Sequence, residues 1–143
     1  MTKILIKRLS KEIPLPKYET NGSSGMDLAA NIETIIEPGD TSIIPTGLAV
    51  SIPKGFEVQV RPRSGLAAKQ KLTVLNTPGT IDSDYRGEIK VILVNHGNKN
   101  FKIEKGDRIA QMIVCPVIIA QIVEVENLSD TKRGKDGFGS TGT

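Results

Sequence analysis

The chain has 143 residues, a formal net charge of +3 and 38% hydrophobic residues, which is typical of one globular domain. One cysteine and one histidine exclude a disulfide framework, a cysteine-based zinc cluster and a His-rich metal site within one chain. The mild charge and five scattered aromatic rings predict no nucleic-acid partner. The longest uncharged run, 109–123, contains two glutamines and a proline and is too polar to span a membrane. Because the first eight residues lack the apolar stretch of a signal peptide, we expect a cytoplasmic protein.

Most of the predicted elements are β-strands. Isoleucine, valine and threonine make up about a quarter of the residues, and eight prolines cut the chain into short pieces. The strands predicted in chain order are 4–9, 32–37, 41–44, 47–52, 56–61, 72–75, 89–95, 109–115 and 122–126. The only predicted helix is 64–72, with Ser64 as its candidate N-cap. Many short strands at regular spacing favour a sandwich or jelly roll.

The last 15 residues differ from the rest of the chain. They contain four glycines and few apolar residues, so they cannot hold a packed element. We therefore expect a folded domain over residues 1–128 and a flexible, glycine-rich arm over residues 129–143.

Two segments combine a turn with groups suited to binding phosphate. In 24–30, Asp27 lies in a turn that leads into a strand, where an aspartate more often bonds to nearby backbone. In 61–67, a strand ends and the predicted helix begins, so Arg63 and Ser64 lie beside a helix N-terminus that favours anions. An ordinary helix start beside a solvated arginine explains the second pattern equally well.

The segment 76–88 is a predicted hairpin that contains Asp82, Asp84 and Tyr85. A plain turn could hold both carboxylates without any function. The length of the loop and the ring beside an arginine favour a binding pocket. Exposed backbone edges of such a hairpin can hydrogen-bond to a nucleobase as a partner strand would.

Two further segments lie towards the C-terminus. In 106–113, Gln111 is a polar amide within an apolar strand, where it needs partners if buried or lies at a sheet edge. The segment 137–142 spells Gly-x-Gly-x-x-Gly, but no strand precedes it and no helix can follow, which excludes a Rossmann motif. Its glycines would still let backbone N–H groups approach phosphate, with Arg133 as a cation and Phe138 as a stacking face. The alternative is a solvated tail.

In this order and spacing, the five segments resemble the five motifs of the homotrimeric dUTP diphosphatase (dUTPase) family. The resemblance covers about residues 24–142 and is most specific in Gly-Thr-Ile-Asp-Ser-Asp-Tyr-Arg-Gly-Glu at 79–88. It implies an all-β, single-domain jelly roll of the β-clip type with one short helix. It also implies a homotrimer with three sites, each assembled from motifs of all three chains and closed by the arm of one chain.

The resemblance implies a reaction and a role for the hairpin residues. The reaction is hydrolysis of dUTP to dUMP and pyrophosphate, with Asp82 activating the water that attacks the α-phosphate. Tyr85 would lie under the deoxyribose, where a ribose 2′-hydroxyl would clash. The implied uracil-binding positions are Asn76, Gly79 and Ile81.

The resemblance also implies how the phosphates are held. Asp27 would belong to a supporting polar network, and Mg²⁺ would be the cofactor, held mainly by substrate phosphates and water with no direct protein ligand. The arm departs from the family at Asp136, where a glycine is usual, and its carboxylate must point to solvent or pair with Lys135 to avoid repelling phosphate. The implied phosphate and arm contacts are Arg63, Ser64, Gly65, Gln111, Arg133, Phe138, Gly139, Ser140 and Thr141.

Two alternatives of other classes remain open on the sequence. One is a dCTP deaminase, an enzyme that resembles this family in fold. The other is a regulatory protein that senses nucleotides in the same pocket without turnover. The hairpin at Tyr85 and the glycine-rich arm favour the diphosphatase over the deaminase, and the intact Asp82 argues against an inactive pocket.

Overall fold

Ten strands and one short helix make up the regular structure of the computed structural model, which describes residues 2–137. This confirms the predicted all-β class with one short helix. No helix among those residues is long and apolar enough to cross a membrane. The elements are β1 (Leu5–Arg8), β2 (Met26–Ala29), β3 (Thr34–Ile36), β4 (Thr41–Ser51), β5 (Phe56–Arg61), α1 (Ser64–Gln70), β6 (Leu72–Val74), β7 (Gly79–Ile81), β8 (Glu88–Asn95), β9 (Phe101–Ile103) and β10 (Arg108–Pro116).

Two four-stranded antiparallel sheets pack face to face around the core. Their strand orders are β1-β4-β8-β6 and β2-β10-β5-β7, and β3 and β9 form a separate pair. Both sheets contribute fully buried side chains, among them Ile44 and Val91 from the first sheet and Leu28, Val58 and Met112 from the second. This two-layer arrangement is the predicted jelly roll.

The strand β5 lies between β10 and β7 and shows why alternation predicted it correctly. Val58 and Val60 are buried, whereas Gln59 between them is half-buried on the other face. Successive side chains of a strand point to opposite faces, so two valines at this spacing cover the core.

The strand β4 is continuous, which corrects the prediction of separate strands at 41–44 and 47–52. Its pairing with β8 shifts register between Pro45 and Ala49. Gly47 lies within this irregularity with a φ of +68°, a left-handed conformation that favours glycine. Pro45 and Gly47 therefore lie in a bulge within one strand and do not separate two strands.

The helix α1 corrects two details of the prediction. Its N-cap is Arg63 rather than Ser64, with an extended backbone and no side-chain hydrogen bond at the cap. It ends at Gln70 instead of residue 72, because Lys71 adopts a left-handed φ of 56°. The chain can then begin β6 at Leu72.

The predicted strand at 122–126 is wrong. A strand needs a neighbour for its backbone hydrogen bonds, and no strand of residues 2–137 pairs with this stretch. Val117 donates a backbone hydrogen bond of 2.8 Å to Gly55, and the C-terminal segment (residues 118–128) then leaves the body of the protein. Six of its apolar side chains are between 57% and 94% exposed, namely Ile118, Ile119, Ile122, Val123, Val125 and Leu128.

Candidate active site

The hairpin predicted around residues 76–88 spans both sheets. β6 and β8 pair antiparallel, but the chain between them crosses to the other sheet, where β7 pairs with β5. Gly79 lies opposite Val60 at this crossing and is buried. A Cβ at Gly79 would lie 3.3 Å from Val60 Cβ and 3.4 Å from Asn76 Nδ2, so glycine allows the close approach of these groups.

The turn after β7 presents Asp82 and Tyr85 beside a cavity. The Tyr85 N–H donates to the Asp82 carbonyl at 3.2 Å, and Arg86 Nη1 donates to the carbonyls of Ser83 and Tyr85 at 2.7 and 2.8 Å. Asp82 is exposed, and Tyr85 is 45% exposed. The cavity has a volume of about 240 Å³, and we call it the hairpin pocket; it is lined by Thr80, Ile81, Asp82, Tyr85, Glu88, Ile89 and Lys90.

A second group of polar residues, the arginine cluster, consists of Asp27, Arg63, Arg108 and Gln111. Arg63 Nε donates to Asp27 Oδ1 at 2.9 Å, and Arg108 Nη1 lies 3.4 Å from Asp27 Oδ2. Arg63 Nη1 also donates to the Arg108 carbonyl at 3.3 Å. The Asp27 and Arg63 side chains are 24% and 28% exposed, so this pair is more shielded from water than an ordinary surface pair. Asp27 therefore holds two cations side by side.

Gln111 lies on β10, between β2 and β5 in the second sheet, and it is opposite both Asp27 on β2 and Arg61 on β5. Its Nε2 donates to the Pro62 carbonyl at 3.0 Å, immediately before Arg63. A Cβ at Gly25 would lie 2.6 Å from Gln111 Oε1, so only glycine leaves room for this amide. Gln111 thus ties β10 to the turn that carries Arg63, and it lines a cavity of about 310 Å³ with Asp27.

The turn before β10 fixes the position of Arg108. The Ala30 N–H donates to the Asp107 carbonyl and the Gly106 N–H donates to the Ala30 carbonyl, both at 2.8 Å. Lys105 hydrogen-bonds to Glu12, and this bond and the lysine charge hold the pKa of the Glu12 carboxyl below its usual value. The two backbone hydrogen bonds of Ala30 join the end of β2 to the start of β10, which brings Arg108 to Asp27.

Ser64 and Gly65 occupy the first turn of α1, directly after Arg63, and both are exposed. The first N–H groups of a helix have no partner within the helix. The helix has no buried residue. The predicted phosphate-binding positions in this segment are therefore open to a ligand.

The hairpin pocket and the arginine cluster lie at opposite ends of β5. Ile81 on β7 pairs with Val58, so Asp82, the next residue, lies beside Glu57 near the start of β5. Gln111 on β10 pairs with Arg61, the last residue of β5. Glu57 and Arg61 are four residue steps apart along the strand, which is about 13 Å at about 3.3 Å per step. Asp82 and Tyr85 lie in one turn, whereas the register places Arg63, two residues beyond Arg61, past the opposite end of β5 within one chain.

The described part of the arm forms a turn at its start. Arg133 is exposed, and its Nε donates to the Asp136 carbonyl at 2.9 Å. The Asp136 side chain is exposed, and no ion pair joins it to Lys135 within residues 2–137. Four predicted arm contacts lie outside the described residues, namely Phe138, Gly139, Ser140 and Thr141.

The structure adds residues that have no role in the predictions from the sequence. Thr80, Glu88 and Lys90 line the hairpin pocket, and Arg108 belongs to the arginine cluster. Arg108 could have been found from the sequence, since it lies in the same segment as Gln111. Residues 2–137 contain no group of three or more His, Cys, Asp or Glu side chains placed to hold a metal ion.

The dUTPase family model matches residues 11–142. The chain belongs to the dUTPase family. It is 59% identical to the deoxyuridine 5′-triphosphate nucleotidohydrolase of Nautilia profundicola, over 98% of this chain and 99% of that protein. Its fold matches the dUTPase of Staphylococcus bacteriophage 80alpha, solved with dUPNHPP, with a TM-score of 0.93, 27% identity and full coverage of both chains. It also matches the dUTPase of phage phi11 of S. aureus, described with a structural Mg(II) ion, with a TM-score of 0.82, 22% identity and coverage of 87% and 97%.

Proposed function

We propose that the protein hydrolyses dUTP to dUMP and pyrophosphate, with Asp82 activating the attacking water. The observation that carries the assignment of Asp82 is its exposed carboxylate at the hairpin pocket, in one turn with Tyr85. The 59% identity to a nucleotidohydrolase of deoxyuridine 5′-triphosphate over nearly the whole chain supports the substrate.

The chemistry requires one base and no covalent intermediate. An ionised carboxylate only accepts hydrogen bonds, so Asp82 can orient a water molecule and take its proton. The water oxygen bonds to the α-phosphorus, the bond to the bridging oxygen breaks, and pyrophosphate leaves. Most of the rate enhancement then comes from positioning and from charge stabilisation.

The arginine cluster suits the triphosphate. Arg63 and Arg108 present two positive charges at one place, and Ser64 and Gly65 add the open first turn of α1. Both carboxylate oxygens of Asp27 are engaged by arginines, which supports a role in positioning cations. Arg133 of the arm would add a further cation.

Mg²⁺ would enter with the substrate, as the magnesium complex of the triphosphate. Held by phosphate oxygens and water, it would supply positive charge that offsets the negative charge of the phosphates. The donor set on the protein suits this arrangement, since both oxygens of Asp27 are already engaged by arginines.

The uracil and the sugar would lie along β7. This strand is at the edge of its sheet, so its outer backbone groups are not used by a neighbouring strand among residues 2–137. Such an edge can pair with the polar edge of uracil, at Asn76, Gly79 and Ile81. Tyr85 follows immediately and would contact the deoxyribose.

We further propose a homotrimer in which each site takes Asp82 from one chain and the arginine cluster from another, while an arm closes over them. The separation of the two groups along β5 supports shared sites. The exposed apolar C-terminal segment supports contact with a second copy. The edge strand β1 offers unpaired backbone groups for such a segment.

A pyrophosphate-release assay with magnesium tests the function on dUTP, dCTP, dTTP and UTP. We expect cleavage of dUTP above the others, and Asp82→Asn should bind dUTP but lose turnover by roughly 10²–10⁴-fold, the usual share of a general base. Asp84→Asn is the matched control, since Asp84 is an exposed carboxylate two residues away. Near wild-type turnover of Asp82→Asn would place the base elsewhere, and no cleavage of dUTP by the wild type would refute the proposed function.

A further inference from the structure

The ring of Tyr85 occupies the space where a side chain at position 87 would begin. A Cβ built on Gly87 would lie 2.6 Å from Tyr85 Cζ and 3.0 Å from Tyr85 Cε2. Gly87 is not among the residues with a left-handed φ, so alanine could adopt its backbone conformation. An alanine at this position would therefore force the partly exposed Tyr85 ring to move, so the observed position of the ring depends on the glycine.

The Tyr85 hydroxyl has one hydrogen bond, which fixes the outer end of the ring. It donates to the Glu88 carbonyl at 2.9 Å. The Glu88 side chain is itself anchored, because its Oε1 accepts a hydrogen bond of 2.8 Å from the Gly47 N–H. Gly47 lies in the bulge of β4, next to the buried Leu48. Tyr85 is thus connected to β4 through Glu88, whose carbonyl binds the Tyr85 hydroxyl and whose side chain binds Gly47.

We propose that Gly87 and Glu88 are positioning residues that hold the Tyr85 ring where it excludes a ribose 2′-hydroxyl. This inference rests on the proposed function, in which Tyr85 contacts the sugar. The preference for dUTP over UTP then depends on the absence of a side chain at position 87 and on the anchor at Glu88, and not on the identity of Tyr85 alone.

The test compares kcat/KM for dUTP and UTP in single variants. Gly87→Ala should lower the dUTP/UTP ratio at least tenfold and towards that of Tyr85→Ala, because the new methyl group displaces the ring. Glu88→Ala should lower the ratio less, and Glu88→Gln should restore it, since the amide keeps an oxygen for the Gly47 N–H. Gly22→Ala is the control, because nothing lies within 4 Å of its Cβ position and its φ is not left-handed.

A double variant separates positioning from a general loss of structure. If Gly87 acts through Tyr85, Tyr85→Ala with Gly87→Ala should have the same ratio as Tyr85→Ala alone. A wild-type ratio in both Gly87→Ala and Glu88→Ala, or a further fall in the double variant, would overturn the proposal.

A spectroscopic measurement gives a result that does not depend on turnover. The chain has two tyrosines, so 3-fluorotyrosine labelling gives two ¹⁹F signals, with Tyr18 as the internal reference. The Tyr85 signal should shift in Gly87→Ala and stay in Gly22→Ala. An unchanged Tyr85 signal would overturn the positioning role even if dUTP is cleaved, whereas failure of the wild type to cleave dUTP would refute the function instead.

Discussion

Replacing two isoleucines of the C-terminal segment should dissociate the proposed trimer. Ile118 and Ile122 are 94% and 89% exposed, so nearly their whole side chains are available for burial against a second copy. They lie four residues apart, so both point to the same side of an extended chain. Ile118→Ala with Ile122→Ala removes this apolar contact and leaves the folded body unchanged.

The magnitude follows from the atoms removed. Each change deletes three carbons, worth about 2.4 kcal/mol at about 0.8 kcal/mol per buried carbon group. Two changes therefore cost about 5 kcal/mol per chain when fully buried, which weakens each contact by about three orders of magnitude or more.

Sedimentation velocity over a dilution series, with pyrophosphate release measured on the same samples, would check this. The wild type should sediment as three chains of 15.4 kDa each, and the double variant should dissociate and lose activity on dilution. Ile35→Ala is the control, because Ile35 is 56% exposed but lies on β3. A double variant that stays trimeric and active at every concentration would refute the role of this segment.

Two further predictions concern the arm and the arginine cluster. Removal of residues 129–143 should strongly reduce hydrolysis and leave the trimer intact by sedimentation; full activity of the shortened chain would contradict a closing arm. Asp27→Ala should raise the KM for dUTP about tenfold, since Arg63 loses a charge-assisted hydrogen bond worth about 1.5 kcal/mol, and Asp27→Asn should do so less. An unchanged KM in both variants would mean that phosphate binding does not depend on Asp27.

The strands inside the sheets could be predicted because their pattern reflects contacts within the chain. Alternation gave 56–61 correctly, since Val58 and Val60 face the core. The residues at 122–126 have the same strand-like composition, but composition does not reveal whether a neighbour is present. The structure leaves this stretch exposed and pairs it with no strand of residues 2–137, so a partner strand for it has to lie outside those residues.

In the candidate site too, the sequence predicts local contacts but not those that depend on strand register. Asp82 and Tyr85 could be paired from the sequence, because only two residues separate them in one turn. The contact of Asp27 with Arg63 and Arg108 depends on the register of β2, β10 and β5, which local sequence does not specify. The anchor of Glu88 on Gly47 depends on a bulge in β4, and that strand was predicted as two pieces.

The distance along β5 has a consequence for mixtures of defective chains. If each reaction centre takes its base from one chain and its arginines from another, two different mutations in a mixed trimer can fall in different centres and leave a third centre intact. Inactive Asp82→Asn chains, unfolded and refolded together with inactive Arg63→Ala chains, should regain some competent centres by complementation. A centre confined to a single polypeptide could never be rescued in this manner.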